Sequence, residues 1–453
     1  MKILLIQPPT GKLTIGGDEF FINEPLSLEY LASGIKEQHE VKILDMRFDK
    51  NLDEILEKFN PDVAGITSYT VNVNTVKTLF EKIKLLNQKI FTVVGGHHAT
   101  VVPEDFATPF IDLIVLGEGV FVFKEIISRL ENKMNFDGIR GIAYKDKSEF
   151  VKIQPDSITD LDVFPFPARE LTEKYRKNYY TDWMKPLASI RTSKGCPFRC
   201  SFCALWKIAN RKYIKREPEN IVKELLEIKE NFIFFADDES LVDVERMKRL
   251  AMLIKEAGIK KRYFLYGRSD TIAGNPELIG IWKEIGLERI FVGLESFKDE
   301  DLRYINKSST IEHNKKAIEI LQSFGIEIYA SFIVRPDFSI EDFRALKKYC
   351  RNFSLTFPTF SVLTPLPGTD FYDEVKEQLI TENSDLFDFI HSLLPTKLPM
   401  KEFYKNLISL YVKAKPPIKG TLFLMKFPFK DIPILFRKFK IFSDRVKNAY
   451  MDY

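Results

Sequence analysis

Short apolar runs alternate with amphipathic stretches over the first third of the chain. Lys2-Ile-Leu-Leu-Ile6 reads as a buried strand, a Pro-rich turn and a helix near Ser27–Gln38 follow it, and a strand over 41–45 closes on Asp45. The alternation continues with a helix near 52–59, a strand Val63–Thr67, a helix near 73–86, a strand over 90–94 and a short strand over 112–116. Apolar strands separated by helices predict an α/β fold, here a doubly wound, flavodoxin-like parallel sheet over residues 1–140. The ligand crevice of such a sheet lies beyond the carboxyl ends of its strands. Pro8 and Pro9, Thr67-Ser68-Tyr69, Gly95-Gly96-His97 and Gly117-Glu118-Gly119 stand at those ends and are candidate site residues.

From about 141 to 185 the alternation lapses, and Asp160-Leu-Asp-Val-Phe-Pro-Phe-Pro-Ala-Arg169 has the prolines and mixed polarity of an extended linker. A second series then begins, with strands near 188–191, 232–235, 263–266, 290–293, 328–333 and 359–363. These six strand–helix units predict an open, partial (β/α)6 barrel over 186–370, with its chemistry at the carboxyl ends of the strands. Ala236-Asp237-Asp238-Glu239, Gly267-Arg268-Ser269-Asp270, Gly293-Leu294-Glu295-Ser296 and Thr364–Thr369 fall there. Asp237, Asp238 and Asp270 read equally well as helix caps or rim ion pairs. Residues 371–453 lose the period and read as a mainly helical region.

At 453 residues the chain exceeds one core and suggests two or three domains, and 45% hydrophobic with 29% charged residues is an ordinary soluble globular composition. The net charge of +3 matters less than its distribution. Between Lys413 and Lys447, ten basic residues stand against Asp431 and Asp444, interleaved with Phe423, Phe427, Phe429, Phe436, Phe439 and Phe442. Basic residues among large aromatics suit a peripheral surface on anionic lipid headgroups. The same pattern fits a helix packed on the barrel; nucleic acid ranks last and is not expected as a partner. The apolar run after Met1 is too short for a signal peptide and no run of 18 uncharged residues exists for a span, so a cytoplasmic location is expected, reaching the inner membrane face if the basic segment meets lipid.

Three of the four cysteines, Cys196, Cys200 and Cys203, fall within eight residues. Thiolates so close in sequence can gather around one metal centre with little loop-closure entropy, and their softness selects zinc or iron–sulfur clusters. Structural zinc takes four ligands and no histidine lies nearby to complete the set, whereas a [4Fe–4S] cluster on three cysteines keeps one iron open. Cys350, after a helical stretch Glu341–Tyr349, reads as a small buried hydrophobe.

The run Cys196-Pro-Phe-Arg-Cys200-Ser-Phe-Cys203 resembles the C-x3-C-x2-C signature of radical S-adenosylmethionine (SAM) enzymes. The resemblance implies that the open iron chelates SAM and that one electron from the cluster cleaves it to a 5′-deoxyadenosyl radical. Glu295 and Ser296 match the family's SAM-contacting fourth strand, and Arg268 lies where a partner for the SAM carboxylate is expected. Such a charged pair suits a zwitterion, because arginine binds carboxylate bidentately. In the first domain, Glu24-Pro25-Leu26, Val94-Gly-Gly-His-His-Ala99 and Leu116-Gly-Glu-Gly119 stand where the cobalamin-binding domain ahead of many radical SAM domains carries such residues. Glycines there would let the backbone approach a large flat ring, although a Gly-Gly pair alone reads first as a tight strand–helix turn. No G-x-G-x-x-G follows the first strand, which speaks against a dinucleotide. The Asp-x-His-x-x-Gly motif that ligates cobalt in some such domains is also missing. The corrinoid is therefore expected without a histidine on its lower face, with the loop Ser68–Asn74 beneath the ring. His97 and His98 read as corrin contacts or as surface histidines.

From Arg191-Thr-Ser-Lys-Gly-Cys196 through Phe360–Asp370, Leu393–Pro399 and Glu402-Phe-Tyr404 to Asn448–Tyr453, the chain resembles the cobalamin-dependent radical SAM family in the branch that includes the hopanoid C-3 methylase. The resemblance implies methyl transfer to an unactivated carbon of a lipid, a hopanoid or other polyisoprenoid. One SAM would give its methyl group to cobalamin, and a second would yield the radical that removes the substrate hydrogen. The implied cofactors are a [4Fe–4S] cluster, SAM and cobalamin, and the implied protein partner is an electron donor such as flavodoxin or ferredoxin. Two other readings remain open. One is bond or ring formation in a lipid without methyl transfer; the other is a non-enzymatic corrinoid carrier or sensor, which leaves the cysteine loop without a purpose. No acid–base dyad stands out, and no residue is assigned a catalytic role.

Overall fold

The computed structural model describes residues 1–17, 19–147, 149–416 and 425–453; Phe423 and Lys419 of the basic–aromatic segment lie outside the described residues. The chain divides into two units, the first comprising Met1–Thr14, Asn23–Asn178 and Asn383–Asp385, and the second Ile15–Ile22, Tyr179–Glu382 and Leu386–Tyr453.

In the first unit β1 (Lys2–Gln7), β2 (Glu40–Asp45), β3 (Val63–Thr67), β4 (Phe91–Gly95), β5 (Leu113–Val115), β6 (Ile142–Asp146) and β7 (Glu149–Ile153) form one sheet in the order β2-β1-β3-β4-β5-β6-β7. Strands β1 to β5 are parallel. Successive side chains of a strand point to opposite faces. Leu4, Ile6, Ile66 and Val94 accordingly pack under the helices Leu52–Phe59 and Val73–Leu86, while Ile3, Leu5, Val63 and Val93 pack under Leu26–Ser33 and Gly119–Glu131. Burial on both faces is why these strands read as unbroken apolar runs. The strand order reverses between β1 and β3, so the topological switch point lies where their carboxyl ends meet. There the Asn72 amide donates to the Pro9 carbonyl oxygen at 2.8 Å.

Two expectations change in this unit. The helix expected to reach Gln38 ends at Ser33. The stretch 141–185, expected as an extended linker, supplies the antiparallel strands β6 and β7, which extend the otherwise parallel sheet. It also supplies a tight helical segment, Arg169–Asn178, whose Arg176 pairs with the buried Glu24. The hairpin escapes a search for buried runs because an edge strand carries charge, here Glu149 and Lys152, and buries little.

In the second unit β8 (Leu187–Ile190), β9 (Phe232–Phe235), β10 (Arg262–Arg268), β11 (Leu287–Glu295), β12 (Glu327–Val334) and β13 (Phe357–Val362) form an open, six-stranded parallel sheet in sequence order, the expected partial barrel. One face, with Phe235, Leu265, Ile290, Ala330 and Phe360, packs on the surrounding helices through Leu250, Trp282, Ile318 and Leu346. The other face is aromatic: Phe234, Phe264 and Phe357 are buried there, and Tyr266, Phe291 and Tyr329 partly so. At the amino ends of the strands the fully buried Arg289 pairs with Asp182 at 2.7 Å and Glu327 at 3.2 Å and lies 4.0 Å over the Trp183 ring. The helices Met400–Lys413 and Ile432–Asn448 pack beside β13, where Tyr411 donates its hydroxyl to the Phe360 carbonyl oxygen and sets its ring edge-on to Phe442 at 5.1 Å. Cys350 is buried inside the helix Ile340–Asn352 rather than after it.

Candidate active site

The cysteine loop leaves β8 and is held at its base by carboxylates from the end of β9. Asp237 accepts from the Thr192 and Ser193 amides at 2.7 and 2.9 Å and from the Thr192 hydroxyl at 2.6 Å, and Asp238 accepts from the Gly195 amide at 2.6 Å. These aspartates thus orient the loop through its backbone amides. Gly195 sits at φ +82°, and a Cβ there would stand 2.0 Å from the Lys212 carbonyl oxygen. Farther along, the Ser201 amide donates to the Ile305 carbonyl oxygen at 3.0 Å, the Asn306 amide to that of Arg199 at 2.7 Å and the Trp206 indole to that of Cys200 at 3.1 Å.

All three thiols are free, Cys200 buried and the others partly so. Burial pushes the thiol of Cys196 up to about 11 and that of Cys203 to about 12, and the three lie close enough for their charges to add to the shift. Cys200 is also raised by burial, against the pull of Lys307 and Arg268. Among the described residues no three His, Cys, Asp or Glu side chains converge to hold a single metal ion. The donor set, three soft thiols facing two cations on a braced loop, fits an anionic iron–sulfur cluster with one thiolate per iron.

Arg268, at the end of β10, forms a fork with Asp270, Nε to Oδ1 at 3.0 Å and Nη2 to Oδ2 at 2.9 Å. Its remaining Nη1 points at the Cys200 sulfur, 3.8 Å away, and its guanidinium lies 3.6 Å over the Phe198 ring. Glu295, at φ +59°, pairs with Lys307 at 2.6 Å, and Lys307 also donates to the Gly293 carbonyl oxygen at 2.7 Å. Ser296 gives its hydroxyl to Asp301 at 2.6 Å. Glu239 is the carboxylate that sequence reasoning left without a role: burial pushes it up to about 7, although the Leu241 amide and the Arg268 charge act against the rise. Its signal was its position in the same strand-end tetrapeptide as Asp237 and Asp238; its burial comes only with the fold.

In the first unit the predicted residues divide. Thr67 and Ser68 are buried at the end of β3, where the Ser68 amide donates to the Gly95 carbonyl oxygen at 2.8 Å. Gly96, Gly117 and Gly119 are required by the packing, whereas a Cβ on Gly95 would meet only ordinary contacts with Val115. Gly96 sits at φ +102°, and a Cβ on it would stand 2.7 Å from the Thr67 hydroxyl and 2.8 Å from the Ser68 backbone; Cβ atoms on Gly117 and Gly119 would press on Pro155 and Leu31. Tyr69 and His97, by contrast, are exposed, with ring centroids 5.5 Å apart, and Glu118 is half-buried before the helix Gly119–Glu131. An exposed aromatic pair beside the switch point fits a large flat ring. His98 turns away from any such ligand: it is buried, with Nε2 2.7 Å from Asp105 and Nδ1 3.1 Å from the Thr70 hydroxyl.

Comparison with known proteins follows the same division. Residues 190–350 match the radical SAM superfamily and residues 16–127 the B12 binding domain. The chain is 32% identical to the hopanoid C-3 methylase of Methylococcus capsulatus over 90% of its own length and 79% of that protein's. It is 30% identical to an uncharacterized methyltransferase of Pyrococcus horikoshii over 92% and 94% of the two chains. Among solved structures it resembles the radical SAM methyltransferase TsrM of Kitasatospora setae, with a TM-score of 0.72 at 17% identity over 100% of this chain and 99% of that one. It also resembles the cobalamin-dependent radical SAM enzyme OxsB, with a TM-score of 0.70 at 17% identity over 94% and 70%.

Proposed function

The chain belongs to the cobalamin-dependent radical SAM methyltransferase family, and we propose that it methylates an unactivated carbon of a polyisoprenoid lipid such as a hopanoid. Its cofactors are a [4Fe–4S] cluster, SAM and cobalamin, which when bound supply the radical and carry the methyl group. Cys196, Cys200 and Cys203 would hold the cluster on a loop that Asp237 and Asp238 keep in place. Glu295 and the buried Glu239 are the carboxylates offered to the ammonium or ribose of SAM, beside Ser296, whose hydroxyl donates to Asp301. Tyr69 and His97 would meet the corrin at the rim of the first sheet.

The observation that carries the substrate reading is the aromatic inner face of the barrel. Phe234, Tyr266, Phe291, Tyr329 and Phe357 follow one another across the strands at centroid distances of 5.4, 5.0, 5.6 and 6.3 Å. Phe357 and Tyr329 are approached by the buried Arg289 guanidinium, at 4.7 and 5.6 Å, and Phe234 by the Phe21 ring at 5.0 Å, so the partly buried Tyr266 and Phe291 are the aromatic surface offered to an apolar skeleton. The name of the relative from Methylococcus capsulatus, a hopanoid methylase, agrees.

Access to such a substrate is assigned to the C-terminal helix. Among the described residues no helix is long and apolar enough to cross a membrane. Phe427 and Phe442 are buried and belong to the packing, whereas Ile434, Phe436 and Ile441 are exposed on the same side of the helix Ile432–Asn448 as Arg437, Lys440 and Lys447. Lys438 is engaged with the Glu19 carbonyl oxygen at 3.0 Å and with Tyr180, so it stands apart from this surface.

The test is an anaerobic assay of the reconstituted enzyme with SAM, reductant and a hopanoid. Methylated lipid with both S-adenosylhomocysteine and 5′-deoxyadenosine is expected; 5′-deoxyadenosine with altered, unmethylated lipid would sink the methyl-transfer reading. Co-sedimentation with anionic vesicles should weaken on raising the salt and on replacing Arg437, Lys440 and Lys447 by Glu, and no binding of the unaltered chain at low salt would remove the membrane contact.

A further inference from the structure

Two cations approach Cys200, and they are not equivalent. Lys307 spends its ammonium on Glu295 and the Gly293 carbonyl oxygen, at 2.6 and 2.7 Å. Arg268 has two of its three nitrogens bound by Asp270, and the fork leaves Nη1 aimed at the Cys200 sulfur at 3.8 Å. The guanidinium is buried and its orientation is fixed from the other side by the Phe198 ring, 3.6 Å from its centre, a residue of the cysteine loop itself. A side chain clamped by a carboxylate and a ring, with its Nη1 directed at a cluster ligand, is built to act on that ligand. Hydrogen bonds to the cysteine sulfurs and nearby positive charge are among the levers that set the potential of an iron–sulfur cluster.

We propose that Arg268 is a positioning and tuning residue for the cluster, donating to the Cys200 sulfur and raising the cluster's reduction potential, rather than a partner for the SAM carboxylate. The inference rests on the cluster reading above. The N–H···S bond strengthens as the cluster gains an electron, because negative charge on the thiolate sulfur rises, so the reduced state is favoured. The electron comes from an external reductant and no bond is broken in the step.

The experiment is a mediator titration of the reconstituted enzyme followed by electron paramagnetic resonance, with SAM omitted so that its coordination contributes nothing. Wild type, Arg268→Gln and Arg268→Lys are compared at equal iron content. Loss of the charge and the N–H should lower the reduced-to-oxidised ratio of Arg268→Gln about tenfold at a given potential, a midpoint about 59 mV more negative for a one-electron couple. Arg268→Lys, which keeps the charge but gives up the fork, should fall between. An Arg268→Gln midpoint equal to that of wild type overturns the proposal, and a weakened SAM affinity without a shift in midpoint would return Arg268 to the SAM carboxylate. Should Arg268→Gln take up no cluster, Arg268→Lys decides, since a midpoint equal to wild type would also overturn it. A wild-type chain that binds no cluster would instead overturn the cofactor reading, and this proposal with it.

Discussion

Gly195 is the most closely packed point of the cysteine loop. A Cβ at 2.0 Å from the Lys212 carbonyl oxygen must displace backbone, and φ +82° disfavours any side chain there. Gly195→Ala should therefore fold its barrel and yet retain several-fold less iron than wild type, measured by iron analysis after reconstitution. Cys350→Ala is the control: a thiol buried in a helix away from the loop should leave cluster absorbance intact at a stability cost of about 1 kcal/mol. In the first unit both ring nitrogens of His98 are engaged, at 2.7 and 3.1 Å. His98 is thus unavailable to cobalt, and with His97 expected at the corrin edge rather than on the metal, electron paramagnetic resonance of the bound Co(II) corrinoid should show no splitting from a protein imidazole; splitting that disappears in His97→Ala would contradict the expected histidine-free lower face. The cysteine triad was legible because its members are neighbours in sequence. Glu239 and the Arg268–Cys200 approach were not, because burial and a contact across 68 residues exist only once the strands are aligned.

At the scale of elements, the C-terminal residues are tied down through His391. Its Nδ1 lies 2.8 Å from Asp388 and its Nε2 3.1 Å from Asp452, while Tyr453 donates to the Ser392 carbonyl oxygen at 2.8 Å. Burial alone would lower the imidazole pKa, but the bonds and charges of Asp388 and Asp452 outweigh it and raise the value above 6.5. A raised folded-state pKa means that the folded chain binds the proton more tightly than the unfolded one. The stabilisation is thus complete below pH 6.5 and is lost as pH rises through the folded value. Thermal unfolding of wild type followed from pH 6 upward should fall more steeply than that of His391→Gln, and parallel curves would refute the assignment. Elements buried on two faces, such as β3 and β4, were predicted within a residue or two. The β6–β7 hairpin was not, since a charged edge strand looks like a loop in sequence.

For the molecule as a whole, the barrel unit depends on an ion network that no local pattern announces. Arg289 is fully buried between Asp182 and Glu327 under the Trp183 ring. Arg289→Ala leaves the Asp182 carboxylate without the arginine that pairs with it and Glu327 with Lys426 alone, and should destabilise the chain by about 3–5 kcal/mol, read from denaturant unfolding. A loss below about 1 kcal/mol would show that water reaches the site and replaces the arginine. The division into units also crosses the sequence: Ile15–Ile22 joins the second unit and Asn383–Asp385 the first. By itself the sequence determined the two α/β units and singled out the three cysteines of one loop as candidate ligands. Alternating burial imprints a period on the chain, and the ligands of one loop need no folding to be found together. Only the tertiary structure decided which glycines serve packing, which Phe of the C-terminal segment are core, and which nitrogen of Arg268 is left for Cys200. Each of those depends on which distant groups share a space, and a side chain's role follows from the partners that have already claimed its other atoms.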